Sequence, residues 1–146
     1  MYTNIRLIIF FIITAMNAGF SIHARIINFD DLVNQHDILG SFKNTVETLS
    51  KDTLVVVDFW TKPCPTCQNI KSVFDELHKT YADRITIVKV YVKKYLAHFM
   101  RPNFYPNTLR VAKVPRVLIF KSGIKVDDFL ANNKQDVVKK VQKHLN

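Results

Sequence analysis

A chain of 146 residues with 48% apolar and 23% charged side chains can bury one real core, and this composition excludes an unfolded polyelectrolyte. Its formal charge of +9 favours acidic partners in general. The lysines are nonetheless scattered, with small clusters only at Lys93–Lys94 and Lys139–Lys140, and no basic–aromatic nucleic-acid motif accompanies them. A solvated basic surface and no nucleic-acid partner are expected.

The N-terminal stretch MYTNIRLIIFFIITAMNAGFSIHA sets one positive charge, Arg6, ahead of an apolar run from Leu7 to Ala15. The run is too short to cross a bilayer as a helix and has the layout of a secretory signal peptide. Cleavage is expected after Ala24, with Ala18 as second choice; an uncleaved anchor extended to Phe20 is the alternative. Residues 1–24 are therefore set aside as a leader and 25–146 as one domain. The domain is expected in a bacterial periplasm or a eukaryotic secretory lumen, as a monomer, with no stable membrane insertion after cleavage. Without Arg6 its formal charge is +8. The ending Lys143-His144-Leu145-Asn146 is no ER-retention signal.

Residues 25–52 combine a short apolar stretch, Arg25 to Phe29, with two helical pieces. Asp30 or Asp31 can cap the first and Ser41 the second, where Phe42, Val46 and Leu49 share a face. Leu54 to Trp60 is a continuous β-branched and aromatic run of the kind that fills a central strand covered on both faces, and Asp58 is anomalous inside it. From Cys64 to Tyr81 the period becomes helical: Ile70, Val73, Phe74, Leu77 and Tyr81 form a stripe, with Lys71, Asp75, Glu76 and Lys79 away from it. Ile85 to Val92 reads as a second buried strand, Lys93 to Met100 as a short helix, and Arg101 to Asn107 as a loop. Val114-Pro115 leads into a strand at Arg116–Phe120, Lys121-Ser122-Gly123 turns, and residues 124–130 return antiparallel. Asn132 or Asn133 caps a last helix carrying Val137, Val138, Val141 and Leu145 on one side. The order of elements implies an α/β fold: a mixed sheet of four to five strands with helices on both faces.

The only two cysteines, Cys64 and Cys67, stand three residues apart in Pro63-Cys64-Pro65-Thr66-Cys67. One pair makes no multi-bridge framework, and metal sites recruit further Cys or His ligands nearby. The spacing favours redox chemistry, with a structural disulfide or a metal site as alternatives. The five histidines form no ligand cluster, and neither a metal nor another cofactor is expected.

The run Val57-Asp58-Phe59-Trp60-Thr61-Lys62-Pro63-Cys64-Pro65-Thr66-Cys67 resembles the signature of the thioredoxin family, as do Lys113-Val114-Pro115 before a strand and Phe120-Lys121-Ser122-Gly123 after it. The resemblance extends over roughly residues 26–146 and implies the thioredoxin fold and a protein-disulfide oxidoreductase acting on protein thiols and disulfides with an unidentified redox partner. It implies Cys64 as the attacking thiolate at a helix N-terminus and Cys67 as the resolving thiol. Asp58 would be the buried acid that relays a proton to or from Cys67, paired with Lys89; a structural carboxylate bonded to backbone is the alternative. Pro115 would be in cis, with Val114 bonding an extended substrate and Trp60, Pro63, Pro65 and Thr66 completing the contact surface. Phe104 and Tyr105 either meet partners or cap the core.

Departures from the family pattern are Pro63 in place of an aromatic residue and Pro65-Thr66 between the cysteines. Ala131 or an Asn stands where a glycine is usual, and several extra residues fall between Lys89 and Pro115. Thr66 can donate a hydrogen bond and Pro65 removes one N–H, so the direction of electron flow stays open. Two other readings compete: a thioredoxin-fold binding subunit of a secretory or membrane-associated complex, and a copper-handling protein.

Overall fold

The computed structural model describes residues 25–99, 111 and 113–146. The leader-like segment and the loop with Phe104 and Tyr105 lie outside the described residues. The elements are β1 (Ile26–Asn28), a 3₁₀ turn (Phe29–Asp31), α1 (Ile38–Leu49), β2 (Leu54–Trp60), α2 (Pro65–Tyr81), β3 (Ile85–Tyr91), α3 (Val92–Phe99), β4 (Arg116–Lys121), β5 (Ile124–Leu130) and α4 (Lys134–Leu145). Another 3₁₀ turn, Ala82–Arg84, joins α2 to β3.

Five strands form one sheet in the order β1-β3-β2-β4-β5. β1 and β2 run parallel to β3, β4 runs antiparallel to β2, and β5 runs antiparallel to β4. β2 is thus the central strand, which accounts for its unbroken burial from Leu54 to Phe59. The pleat sends alternate residues to opposite faces. Val55, Val57 and Phe59 meet one cluster with Phe29, Phe42, Val46, Tyr95 and Phe99. Leu54 and Val56 meet the other, with Ile70, Val73, Phe74, Leu77, Val137 and Val141. The first face is closed by α1 and α3, the second by α2 and α4.

The helix starts differ in part from expectation. Residues 29–31 make only a 3₁₀ turn, so neither Asp30 nor Asp31 caps an α-helix. The cap of α1 is Asp37, whose Oδ1 accepts the Gly40 N–H at 2.9 Å; Ser41 lies inside the helix, and its Oγ accepts the Asn34 N–H. An aspartate four residues before the serine satisfies the first-turn N–H that the serine was expected to satisfy. Asn133 caps α4 through Asp136 N–H. In the β4–β5 turn Ser122 and Gly123 both have positive φ, 52° and 79°, the backbone twist that a two-residue hairpin needs. Their N–H groups bond Ser50 at the end of α1, which ties the hairpin to the opposite layer.

Phe42 sits at the hub of the aromatic cluster, with ring centroids of Phe29, Phe59, Phe99 and Phe120 at 5.6–6.4 Å. Phe42→Ala is expected to lower unfolding free energy by about 3–5 kcal/mol in a denaturant titration. A loss below about 1 kcal/mol would show that this cluster is not a packed core.

Candidate active site

The end of β2 and the first turn of α2 build the site. β2 ends at Trp60, and after four residues the chain enters α2 with Cys64 as its N-cap in extended conformation and Pro65 at the first helical position. Proline fits there because its missing N–H would have had no partner inside the helix. Cys64 and Cys67 form a disulfide with Cα atoms 5.2 Å apart. The Cys67 N–H donates to Cys64 Sγ at 3.1 Å, so the outer sulfur takes the acceptor role that an Asp or Ser oxygen plays at other caps. Cys64 is partly exposed and Cys67 is buried, at 5% exposure. The Gln68 amide bonds Lys62 O at 3.3 Å and holds the entry loop against the helix.

Beneath the pair lies a cavity of about 200 Å³ lined by Asn28, Asp58, Trp60, Cys67, Gln68, Lys71 and Lys89. Asp58 reaches it because β2 alternation turns residues 54, 56 and 58 toward the α2 face. Its neighbours in register are Lys89 on β3 and Val117 on β4. Asp58 is 5% exposed and its Oδ1 has no hydrogen-bond partner. Burial pushes the Asp58 carboxyl up to about 7, against the opposing pull of the Lys89 charge. Trp60 packs on Tyr91 with centroids 5.0 Å apart and forms one wall. The Val114–Pro115 peptide is cis, Pro115 O accepts the Ala131 N–H at 3.0 Å, and Arg116 pairs with Phe59 near the end of β2.

A sequence model of the thioredoxin family matches residues 32–143. The chain belongs to the thioredoxin family. Thioredoxin 1 of a Nostoc species is 32% identical over 100 residues, 68% of this chain and 87% of that protein. Thioredoxin of Rickettsia typhi is 31% identical over 87 residues, 60% of this chain and 74% of its own length. The chloroplastic M-type thioredoxin of Pisum sativum is 29% identical over 128 residues, 85% of this chain and 66% of that one. Among solved structures, the germline-specific thioredoxin Deadhead of Drosophila melanogaster aligns with a TM-score of 0.57 at 18% identity, covering 72% of this chain and 92% of that one. That likeness speaks to the fold. With its CxxC pair, this member of the thioredoxin family is a thiol–disulfide oxidoreductase, and the family acts on protein thiols and disulfides.

The structure brings Cys67, Asp58, Lys89 and Trp60 to one cavity, with Cys64 bonded to Cys67 above it. It does not form the anticipated Asp58–Lys89 ion pair: Lys89 Nζ lies 3.5 Å from Asp75 Oδ1 instead. A lysine stem that starts in a buried strand can carry its ammonium outward to a carboxylate near water. Lys71 and Asp75 lie away from the apolar stripe of α2, Lys71 exposed and the Asp75 side chain 47% exposed. Their positions, one and two turns past Cys67, bring Lys71 to the cavity wall and Asp75 to Lys89. The i+4 and i+8 spacings from Cys67 are the available signals for Lys71 and Asp75. Among the described residues no cluster of three or more metal-ligating side chains forms.

The raised Asp58 value sets a pH dependence of stability. Below the ordinary value of 3.8 both folded and unfolded chains are protonated and Asp58 adds no pH-dependent cost. As pH rises toward about 7 the unfolded chain releases the proton and the folded one holds it, so stability is lost through that window. Asp58→Asn is expected to gain on the parent protein by up to about 4 kcal/mol between pH 4 and pH 8. Urea denaturation at the two pH values checks this, and an unchanged difference would mean that Asp58 titrates normally.

Proposed function

We propose that this protein exchanges disulfides with protein substrates in an exported compartment, as a single chain, with Cys64 as nucleophile and Cys67 as resolving thiol. In the dithiol form the Cys64 thiolate attacks a substrate disulfide. One sulfur–sulfur bond breaks, a mixed disulfide forms, and the other substrate sulfur leaves as a thiolate. Cys67 gives its proton to Asp58 across the shared cavity and attacks Cys64 Sγ. The Cys64–Cys67 bond forms and the second substrate sulfur departs. The substrate has gained two electrons and the pair has lost them; the reverse sequence oxidises a dithiol substrate.

The observation that carries this reading is Cys64 Sγ capping α2 and accepting the Cys67 N–H above a buried carboxyl. A donated N–H and the positive end of a helix favour thiolate over thiol. A carboxyl at about 7 can both take and return a proton near neutral pH. Trp60, Pro63, Pro65, Thr66 and the Val114–Pro115 backbone would form the surface that receives the substrate. Export is supported by the charged, apolar and small-residue layout of residues 1–24.

Two outcomes are expected. Cys67→Ser should trap a mixed disulfide with substrate while Cys64→Ser traps none, and in the reduced parent Cys64 should alkylate with a midpoint below the free thiol value of about 8.5. A sluggish Cys64, or a double serine variant that keeps full activity, would favour a docking role over a redox one. For export, N-terminal sequencing of protein recovered outside the cytoplasm should begin at Arg25; protein found only inside the cell with Met1 retained would overturn that part.

A further inference from the structure

Lys89 stands between two carboxyl groups and is held by the outer one. In the sheet it is the register neighbour of Asp58, and both line the cavity under Cys67. Its ammonium nonetheless sits 3.5 Å from Asp75 Oδ1 on α2, with no ion pair to Asp58 and with Asp58 Oδ1 left unpartnered. The Lys89 side chain is 14% exposed and that of Asp75 is 47%, so the stem leads from the interior to the surface. The groups that face Asp58 are few. α2 supplies Cys67, Gln68 and Lys71, β3 supplies Lys89, β1 supplies Asn28, Trp60 of its own strand supplies a wall, and the β4 neighbour is the apolar Val117. Asp75 reaches this set only through Lys89.

An ammonium stabilises a carboxylate more the nearer it lies, and the Lys89 ammonium makes its ion pair with Asp75 and none with Asp58. With Lys89 turned outward, the buried acid has less positive charge beside it and keeps its proton to higher pH. We propose that Asp75 is a positioning residue for disulfide exchange: by holding the Lys89 ammonium outward, it sets the pH at which Asp58 accepts a proton from Cys67. The inference rests on the exchange role of Asp58 proposed above. Lys71, four residues before Asp75 on the same helix, lines the same cavity.

The test follows the Asp58 carboxyl carbon by NMR titration in the oxidised full-length protein, beside the pH profile of disulfide exchange. Asp75→Asn is expected to lower the Asp58 midpoint by about one pH unit, since Lys89 is free to turn inward. Asp75→Glu should restore the parent value. In a Lys89→Met background Asp75→Asn should lower the midpoint by much less, because only the loss of a distant charge remains. An unmoved midpoint in Asp75→Asn, or an equal fall with and without Lys89, overturns the proposal. If the midpoint falls but the exchange profile stays in place, the hold of Asp75 on Lys89 stands and the role of Asp58 in exchange fails.

Discussion

The rest of the molecule is arranged around the desolvation of one carboxyl group. Asp58 occupies the middle strand of the sheet, where β3 and β4 bond it from both sides and α2 covers it from above. A buried acid with one oxygen unpartnered is unfavourable for folding, and the two apolar layers on either side of β2 must offset it. Local cost at one polar position within an otherwise consistent core is the pattern expected where chemistry, and not packing, has chosen the residue. The same burial that costs stability moves the proton affinity into the range where thiols exchange protons.

The second requirement is that the two sulfurs differ. The chain meets it by starting α2 between them. Cys64, outside the first turn, is partly exposed and accepts an N–H, while Cys67, inside it, is buried over the cavity. A strand that ends just before a helix begins is enough to produce the asymmetry, and the mixed sheet fixes the strand end. Fold and site are therefore one construction: β2 carries the acid, α2 carries the thiols, and β3 brings the lysine.

Much of this could be read from residue order. The unbroken apolar run at 54–60 marked a central strand with Asp58 as its exception, and CxxC before a helical stripe placed both cysteines. The turn at Lys121-Ser122-Gly123 announced the hairpin because Gly123 adopts positive φ without steric cost. What escaped was of two kinds. Ser41, Asp30 and Asp31 were chosen as caps because any of these residue types can cap, and only the three-dimensional path shows that Asp37 meets the free N–H. Lys71 and Asp75 lie away from the apolar stripe as periodicity requires, but periodicity does not say that this helix edge stands over the cavity and Lys89. The partner of Lys89 was missed for a related reason. Register puts Asp58 next to it, but a side chain with four methylene groups chooses among all carboxylates within its reach.

The aromatic cluster around Phe42 bears on how the chain finds its pairing. A strand has two faces, and sliding β2 by one position against its neighbours would exchange them. The carboxyl would then point among Phe29, Phe42 and Phe99, while Phe59 would be driven under the second cysteine. Apolar on one side and provided with a single acid on the other, the central ribbon carries its own alignment mark: any one-residue slip would bury the acid among aromatic rings.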